Sequence, residues 1–218
     1  MSVFIRRIVK WYEEFGDKQL PWRNTKDPWL VLIATFLLRK TSVKQVAKVY
    51  EVFIRRFPTP CALLLASEDE VRELIRPLGI EHQRSKHLME LARQVQTKFG
   101  GKVPCSEDQL EKLPGVGRYT ASEVLLVGCD KPEPLLDRNM IRVIERVFGV
   151  KPLRKRPHED DTMWAFAKML VPKDSEEARA FNYGVLDFAR KVCRARSPRC
   201  RECPIADICK HHTDARGC

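Results

Sequence analysis

Four cysteines near the C-terminus constrain the fold of this chain more than any other feature. They are spaced C-x6-C-x2-C-x5-C within 17 residues, at Cys193, Cys200, Cys203 and Cys209. Four thiolates this close together can surround one soft metal centre, either an iron–sulfur cluster or a tetrahedral zinc ion. The spacing favours the cluster, because structural zinc sites usually combine two short pairs and only Cys200 and Cys203 form such a pair.

The residues between and around these cysteines are basic, and so is the whole chain. The formal net charge is +11 over 218 residues, which indicates an anionic partner. A membrane partner is disfavoured, because no apolar run approaches the ~18 residues of a membrane span. The basic side chains of the cysteine loop are Lys191, Arg194, Arg196, Arg199, Arg201 and Lys210.

The remaining cysteines are expected to be unremarkable. The N-terminal sequence has no signal-peptide pattern, so we expect an intracellular protein in a reducing compartment, where thiols bind metal more often than they pair. Cys61, Cys105 and Cys129 are therefore interpreted as ordinary small side chains, and Cys218 as part of the tail.

Helical signals run from end to end of the chain and predict an all-α fold. Asp27-Pro28 is typical of a helix start, as are the capping boxes at Ser67–Glu70 and Ser106–Gln109. No segment alternates with the period of two that a strand requires. An N-terminal helix is indicated by apolar residues at helical spacing, namely Phe4, Ile8, Trp11 and Phe15.

Residues 113–121 read Leu-Pro-Gly-Val-Gly-Arg-Tyr-Thr-Ala and lie between two helical patterns. Two glycines allow a tight turn and close approach of a partner, and the following helix presents N–H groups at the positive end of its dipole. This arrangement binds an anion through the backbone. A plain helix–helix turn is the alternative, which the flanking residues and the basic charge disfavour.

These motifs resemble those of the endonuclease III superfamily of DNA glycosylases. Residues 113–121 are similar to its helix-hairpin-helix signature, residues 135–143 to the segment around its essential aspartate, and the cysteine array to its [4Fe–4S] loop. Leu20–Arg23 with Asp27–Trp29 resembles the adenine and mismatch thymine branches. The resemblance spans almost the whole chain and implies a base excision repair enzyme.

The resemblance also implies an architecture and a partner. We expect two helical domains with a DNA-binding cleft, one formed by residues 25–133 and the other by residues 1–24 and 134–218. The second would hold the cluster. The expected partner is double-stranded DNA that contains a mismatched or damaged base, bound by a monomer.

The catalytic candidates are Asp137 and Tyr119. Breaking an N-glycosidic bond builds positive charge on the sugar, which a carboxylate stabilises, and Asp137 matches the family aspartate. From sequence alone, Asp137 is also a natural N-cap. Tyr119 stands where bifunctional members carry the lysine that forms a Schiff base. We therefore predict a monofunctional glycosylase without lyase activity, as in mismatch-specific thymine and uracil glycosylases.

Two other functions remain open. Adenine glycosylases place a glutamate where this chain has Thr35, which disfavours adenine removal opposite guanine or 8-oxoguanine. Members of the mismatch thymine branch can also carry a glutamate there, so Thr35 is a departure that bears on both interpretations. The second alternative is a non-catalytic DNA-binding module that uses its cluster as a redox sensor, for which Asp137 would be unnecessary.

The predicted DNA contacts lie in the hairpin and at the end of an apolar helix. The backbone of Gly115 and Gly117 would hold a phosphate, with Val116 and Arg118 beside it. The superfamily inserts a side chain into the hole left by the extruded base at the position of Arg39 and Lys40. We expect one of these two residues, with Lys40 favoured over Arg39, to be this plug or a contact to the unpaired guanine, with solvated charge as the alternative interpretation.

Overall fold

The structure is a computed structural model that describes residues 1–216, and helices account for all its regular secondary structure there. The all-α prediction is confirmed. The chain forms two compact units, Met1–Asp17 with Lys131–Cys218, and Lys18–Asp130. None of the helices in the described residues combines the length and apolar character that a membrane crossing requires. Cys218 lies outside the described residues.

The unit Lys18–Asp130 contains seven α-helices. They are α2 (Pro28–Leu38), α3 (Val43–Arg56), α4 (Pro60–Leu64), α5 (Glu68–Ile75), α6 (Glu81–Phe99), α7 (Glu107–Glu111) and α8 (Arg118–Glu123), and α8 continues into a π-helical turn at Val124–Gly128. Helix α2 is buried almost around its whole circumference, as its uniformly apolar sequence requires. Contacts with α3, α6 and α8 enclose it.

The other unit contains α1 (Ser2–Phe15), α9 (Arg138–Phe148), α10 (Asp161–Leu170), α11 (Ser175–Lys191) and α12 (Lys210–Arg216). Helix α1 packs along α11, which also contacts α9. Asp17 is the last residue of the N-terminal segment of this unit, and its carboxylate pairs with Lys191 at 2.6 Å and with Arg190. The core consists mainly of apolar residues from α1, α9, α10 and α11, including Phe4, Ile8, Met140, Ile144, Phe181 and Phe188.

Most predicted helix starts are confirmed. Asp27 accepts hydrogen bonds from the backbone of Trp29 and Leu30, and Ser67 forms a full capping box with Glu70. The box predicted at Ser106 is wrong, because the Ser106 side chain makes no capping hydrogen bond although α7 begins directly after it. The residue type at position 106 therefore predicted the start of the helix but not a capping hydrogen bond.

Candidate functional site: a hairpin, a capped aspartate and a cysteine loop

The hairpin between α7 and α8 is a tight turn that depends on one glycine. The Val116 N–H donates to the Leu113 carbonyl at 3.1 Å, with Pro114 and Gly115 between them. Gly115 has φ +73°, which suits glycine at the third position of a type II turn, after a proline. The sequence L-P-G-V thus encodes the turn locally.

Gly117 is exposed, and neither its conformation nor the packing of the chain explains its identity. It has an extended backbone with φ −103°, and a Cβ built there would meet no described atom within 4 Å. Any residue would therefore fit the protein itself. Val116 is buried beneath the turn, whereas Arg118 is exposed, with its Nε 3.8 Å from Glu107 Oε1. The outer surface of the hairpin is thus backbone with little side-chain cover, where a partner can approach closely.

Tyr119 lies in the first turn of α8 and is half-buried. The next residue, Thr120, is buried. A phenol has no nucleophilic amine, so it cannot form a Schiff base with an opened sugar.

Asp137 is the N-cap of α9. Its Oδ1 accepts from the backbone N–H groups of Asn139 at 2.8 Å and Met140 at 2.9 Å, while Oδ2 accepts from the Asn139 side-chain amide at 2.6 Å. Burial raises the pKa of Asp137, although these donors and nearby Arg142 act in the opposite direction. The capping prediction is confirmed, and the cap fixes the carboxylate in one orientation.

Sequence reasoning missed the side chains that connect Asp137 to the cysteine loop. Arg142 donates to Asn139 Oδ1 at 3.0 Å and, through Nε, to the Cys193 carbonyl at 3.0 Å. Asn139 therefore bridges Asp137 and Arg142, which in turn contacts the first cysteine of the loop. The spacing of residues 137, 139 and 142 on one helix start was visible in the sequence, but their partner in the loop was not.

Arg39 and Lys40, which follow α2, have different surroundings. Arg39 Nη2 donates to the Gly115 carbonyl at 2.5 Å, and its guanidinium lies 3.8 Å from the centre of the Phe36 ring. Lys40 is exposed and has φ +53°. Thr35 is buried, and its hydroxyl donates to the Leu32 carbonyl at 2.8 Å.

Ile80, which sequence reasoning also missed, is exposed in a costly conformation. It has φ +48°, which is rare for a β-branched residue, and 51% of its surface is accessible. It directly precedes α6 and, with Lys40 and His87, lines a surface cavity. Strained, exposed apolar residues are often found at ligand-binding sites.

The four loop cysteines line one cavity of about 350 Å³, a volume that includes the open space at its mouth. No group of three metal-binding side chains in the described residues is arranged to hold a single ion. Four thiols that line one common cavity are the set of ligands that a [4Fe–4S] cluster requires. Burial raises the pKa of Cys203 to about 11 and also raises that of Cys209, so the thiolates need the positive charge of bound iron.

Arg146 stabilises the start of this loop. It donates to the Arg194 carbonyl at 2.7 Å and the Ala195 carbonyl at 3.1 Å, and its Nη1 lies 3.4 Å from Cys193 Sγ. A guanidinium with several donors suits this role because it binds several carbonyls at once.

The expectation that Cys105 and Cys129 are unpaired thiols is wrong. They form a disulfide, with their Cα atoms 5.8 Å apart. The fold brings the start of α7 beside the end of the π-helical turn, so the two residues come within bonding reach despite a separation of 24 positions. Cys61 is an exposed free thiol, as expected.

Comparison with known proteins identifies the family. Residues 33–170 match the model of the HhH-GPD superfamily of base excision DNA repair proteins. The chain belongs to this superfamily. Residues 193–209 match the iron–sulfur binding domain of endonuclease III, which agrees with the cluster-binding loop and its [4Fe–4S] cofactor.

Relatives of this HhH-GPD protein match it along almost its full length. A thymine-DNA glycosylase of Aeropyrum pernix is 62% identical over 96% of this chain and 94% of the relative. A thymine/uracil-DNA glycosylase of Pyrobaculum aerophilum is 58% identical over 92% of this chain and 87% of the relative. The solved structure of a thermostable thymine-DNA glycosylase has a TM-score of 0.89 and 32% identity, covering 98% of this chain and 96% of that one.

Proposed function

We propose that this protein is a monofunctional DNA glycosylase that removes thymine or uracil mispaired with guanine. The capped, half-buried Asp137 carboxylate carries this proposal, because it is a fixed negative charge in a poorly hydrated site. The thymine and uracil specificities of the relatives support the choice of base.

In the proposed reaction, the mispaired base leaves the stack and the bond between its nitrogen and the sugar C1′ breaks. The bonding electrons leave with the base, and positive charge develops on the sugar. The Asp137 carboxylate stabilises that charge and orients a water molecule, whose oxygen bonds to C1′ while its proton passes to the carboxylate or to solvent. The departing base takes up a proton from solvent, so the products are a neutral free base and an intact abasic strand.

The half-buried Tyr119 makes the reaction stop at this point. Strand cleavage by a bifunctional enzyme requires an amine that attacks C1′, and a tyrosine at the start of α8 supplies none. The Thr35 hydroxyl donates a hydrogen bond to a backbone carbonyl. Because an alcohol is a poor acid, Thr35 does not replace the glutamate of the adenine branch. In this proposal, Thr35 shapes the pocket for a pyrimidine.

DNA binding is assigned to the hairpin and two exposed positions. The backbone of Gly115 and Gly117 holds a phosphate, Val116 supports the turn from below, and Arg118 adds positive charge. Lys40 is the proposed plug for the space left by the base. Ile80, exposed and strained, supplies an apolar contact to the unpaired strand.

We assign the ligands of the [4Fe–4S] cluster to Cys193, Cys200, Cys203 and Cys209, which are free thiols that would hold it. When bound, it supplies the positive charge that the four thiolates need and keeps the arginine-rich loop folded. Hydrolysis of the glycosidic bond requires no electron transfer, so the cluster is assigned a structural role.

Single-turnover base release tests the proposal on duplexes that contain T·G, U·G, A·G, A·8-oxoguanine or thymine glycol. We expect release of thymine and uracil, with strand nicking only after alkali. Release of adenine would assign the protein to the adenine branch, and nicking without alkali or borohydride trapping would contradict the role of Tyr119. Asp137→Asn should bind DNA yet release no base; equal release by this variant would exclude catalysis by Asp137.

A further inference from the structure

The Arg39 side chain contacts the hairpin directly. Its Nη2 donates to the Gly115 carbonyl at 2.5 Å and to Thr120 Oγ1 at 3.2 Å, so one nitrogen contacts both the turn and the first turn of α8. Its guanidinium stacks on Phe36, which is itself buried. Arg39 is therefore restrained by the protein through both its donors and its flat face.

The backbone of Arg39 is restrained by a second arginine. Arg84 of α6 is buried and donates to the carbonyls of Phe36 at 2.6 Å, Leu37 at 2.9 Å and Arg39 at 3.0 Å. These are carbonyls at the end of α2, which have no partner within the helix and carry its negative dipole end. Arg84 thus fixes the position from which the Arg39 side chain extends.

The Gly115 carbonyl is a sensitive point in the hairpin. It belongs to the same peptide group as the Val116 N–H, which donates to the Leu113 carbonyl at 3.1 Å. Holding both ends of one peptide group prevents it from rotating, and glycine on its N-terminal side would otherwise permit that rotation. A fixed peptide here sets the direction of the backbone as it enters Gly117 and α8.

We propose that Arg39 is a positioning residue that holds the hairpin in its DNA-binding conformation before DNA arrives, and that it does not enter the duplex. Lys40, exposed at the next position, is left as the side chain available to the DNA. The DNA part of this inference rests on the proposed function, because it takes the hairpin as the phosphate-binding element. Ordering the hairpin in advance lowers the entropy cost of binding.

Hydrogen exchange of the free protein tests the positioning role without DNA. Arg39→Met keeps the packing on Phe36 but removes every donor, and it should speed exchange of the Val116 amide roughly fivefold to tenfold, as expected for one or two lost hydrogen bonds. Arg39→Lys keeps the charge without the planar fork and should show a similar increase. Lys40→Met is the matched control and should leave the exchange of this amide unchanged.

DNA binding provides the second measurement. Arg39→Met should weaken binding to matched and mismatched duplexes by the same factor, because the hairpin contacts phosphates and not bases. Unchanged exchange together with lost mismatch preference would overturn the proposal and make Arg39 the plug. Unchanged exchange with unchanged binding would also overturn it.

Thr120→Val keeps the test informative if Arg39→Met does not fold, since it removes a single acceptor of Arg39. It should speed Val116 exchange by a smaller factor than Arg39→Met, and no increase would count against the proposal. If the wild-type protein binds no DNA, the proposed function fails while the exchange result still decides the role of Arg39.

Discussion

Asp137 shows how one residue combines a structural and a proposed chemical role. Its capping bonds use Oδ1, whereas Oδ2 faces the Asn139 side chain, so the carboxylate is oriented by groups of its own helix. Burial raises its pKa and the hydrogen bonds oppose that rise. These neighbours favour the charged form that the proposed reaction needs, and among them Asn139 donates through a side chain that a substitution can remove.

Asn139→Ala should shift the acid limb of the pH–rate profile to higher pH. The lost amide donor stabilises the ionised carboxylate, so its removal raises the pKa of Asp137 further above its usual value. Base release then falls at a higher pH on acidification, whereas the rate at high pH changes less. Single-turnover rates across the acid range measure the shift.

Arg142→Met is a second variant in which the shift of the acid limb can be compared with that of Asn139→Ala. Arg142 adds positive charge near Asp137, but it donates hydrogen bonds to Asn139, Ala189 and Cys193. Its removal should shift the acid limb in the same direction by a smaller amount. An unshifted profile in Asn139→Ala would show that the amide does not influence ionisation of the carboxylate.

Ile80→Gly should stabilise the protein and weaken DNA binding. An L-residue in the left-handed region costs roughly 1–2 kcal/mol, which glycine avoids, while the half-exposed side chain contributes little packing. We expect a net gain of about 1 kcal/mol in chemical unfolding. Leu65→Gly is the control, because Leu65 is 85% exposed but has an ordinary helical φ, and it should bring no gain.

At the scale of elements, the disulfide encloses the whole hairpin that we propose binds DNA. Cys105 precedes α7 and Cys129 follows the π-helical turn, so the bond closes a loop that contains α7, the hairpin and α8. Short helices such as α7 and α8 have little stability of their own. The disulfide therefore reduces the conformational entropy of the unfolded chain in the segment whose helices have the least stability of their own.

The double variant Cys105→Ser/Cys129→Ser should lower stability by about 3 kcal/mol, the loop-closure entropy of a loop of this length. We expect a fall of roughly 10 °C in the thermal midpoint, and the same fall when wild-type protein is measured in excess reductant. Cys61→Ser, which changes an exposed free thiol, is the control. Identical midpoints with and without reductant would contradict the prediction.

At the scale of the whole molecule, positive charge is the dominant property. A net charge of +11 on 218 residues provides a strong long-range attraction for a polyanion. Some of the side chains that carry this charge donate to backbone carbonyls of the protein, for example those of Arg39, Arg84, Arg142 and Arg146. These side chains still contribute to the long-range attraction, but fewer basic side chains are left to contact phosphates directly than the composition indicates.

Binding to a matched duplex should weaken steeply with salt. If about six phosphates are neutralised, affinity falls roughly a thousandfold between about 50 and 200 mM salt. Fluorescence anisotropy titrations at several salt concentrations give the slope. A nearly flat dependence would mean that phosphate contacts do not dominate binding.

The sequence alone determined the features that depend on neighbouring residues. The cysteine spacing, the L-P-G-V turn, and the caps at Asp27, Ser67 and Asp137 each involve a few consecutive positions, where residue type and backbone geometry are directly linked. The failed cap at Ser106 shows that even a local pattern gives a helix start more reliably than a contact.

Only the tertiary structure decided which distant residues meet. The disulfide joins positions 24 apart, Arg142 contacts Cys193 across 51 positions, and Arg39 contacts Gly115 across 76. Arg39 and Lys40 are adjacent basic residues that sequence cannot distinguish, yet one is bound to the hairpin and the other is exposed. The physical reason is that long-range pairs depend on how helices pack, which no short sequence pattern encodes.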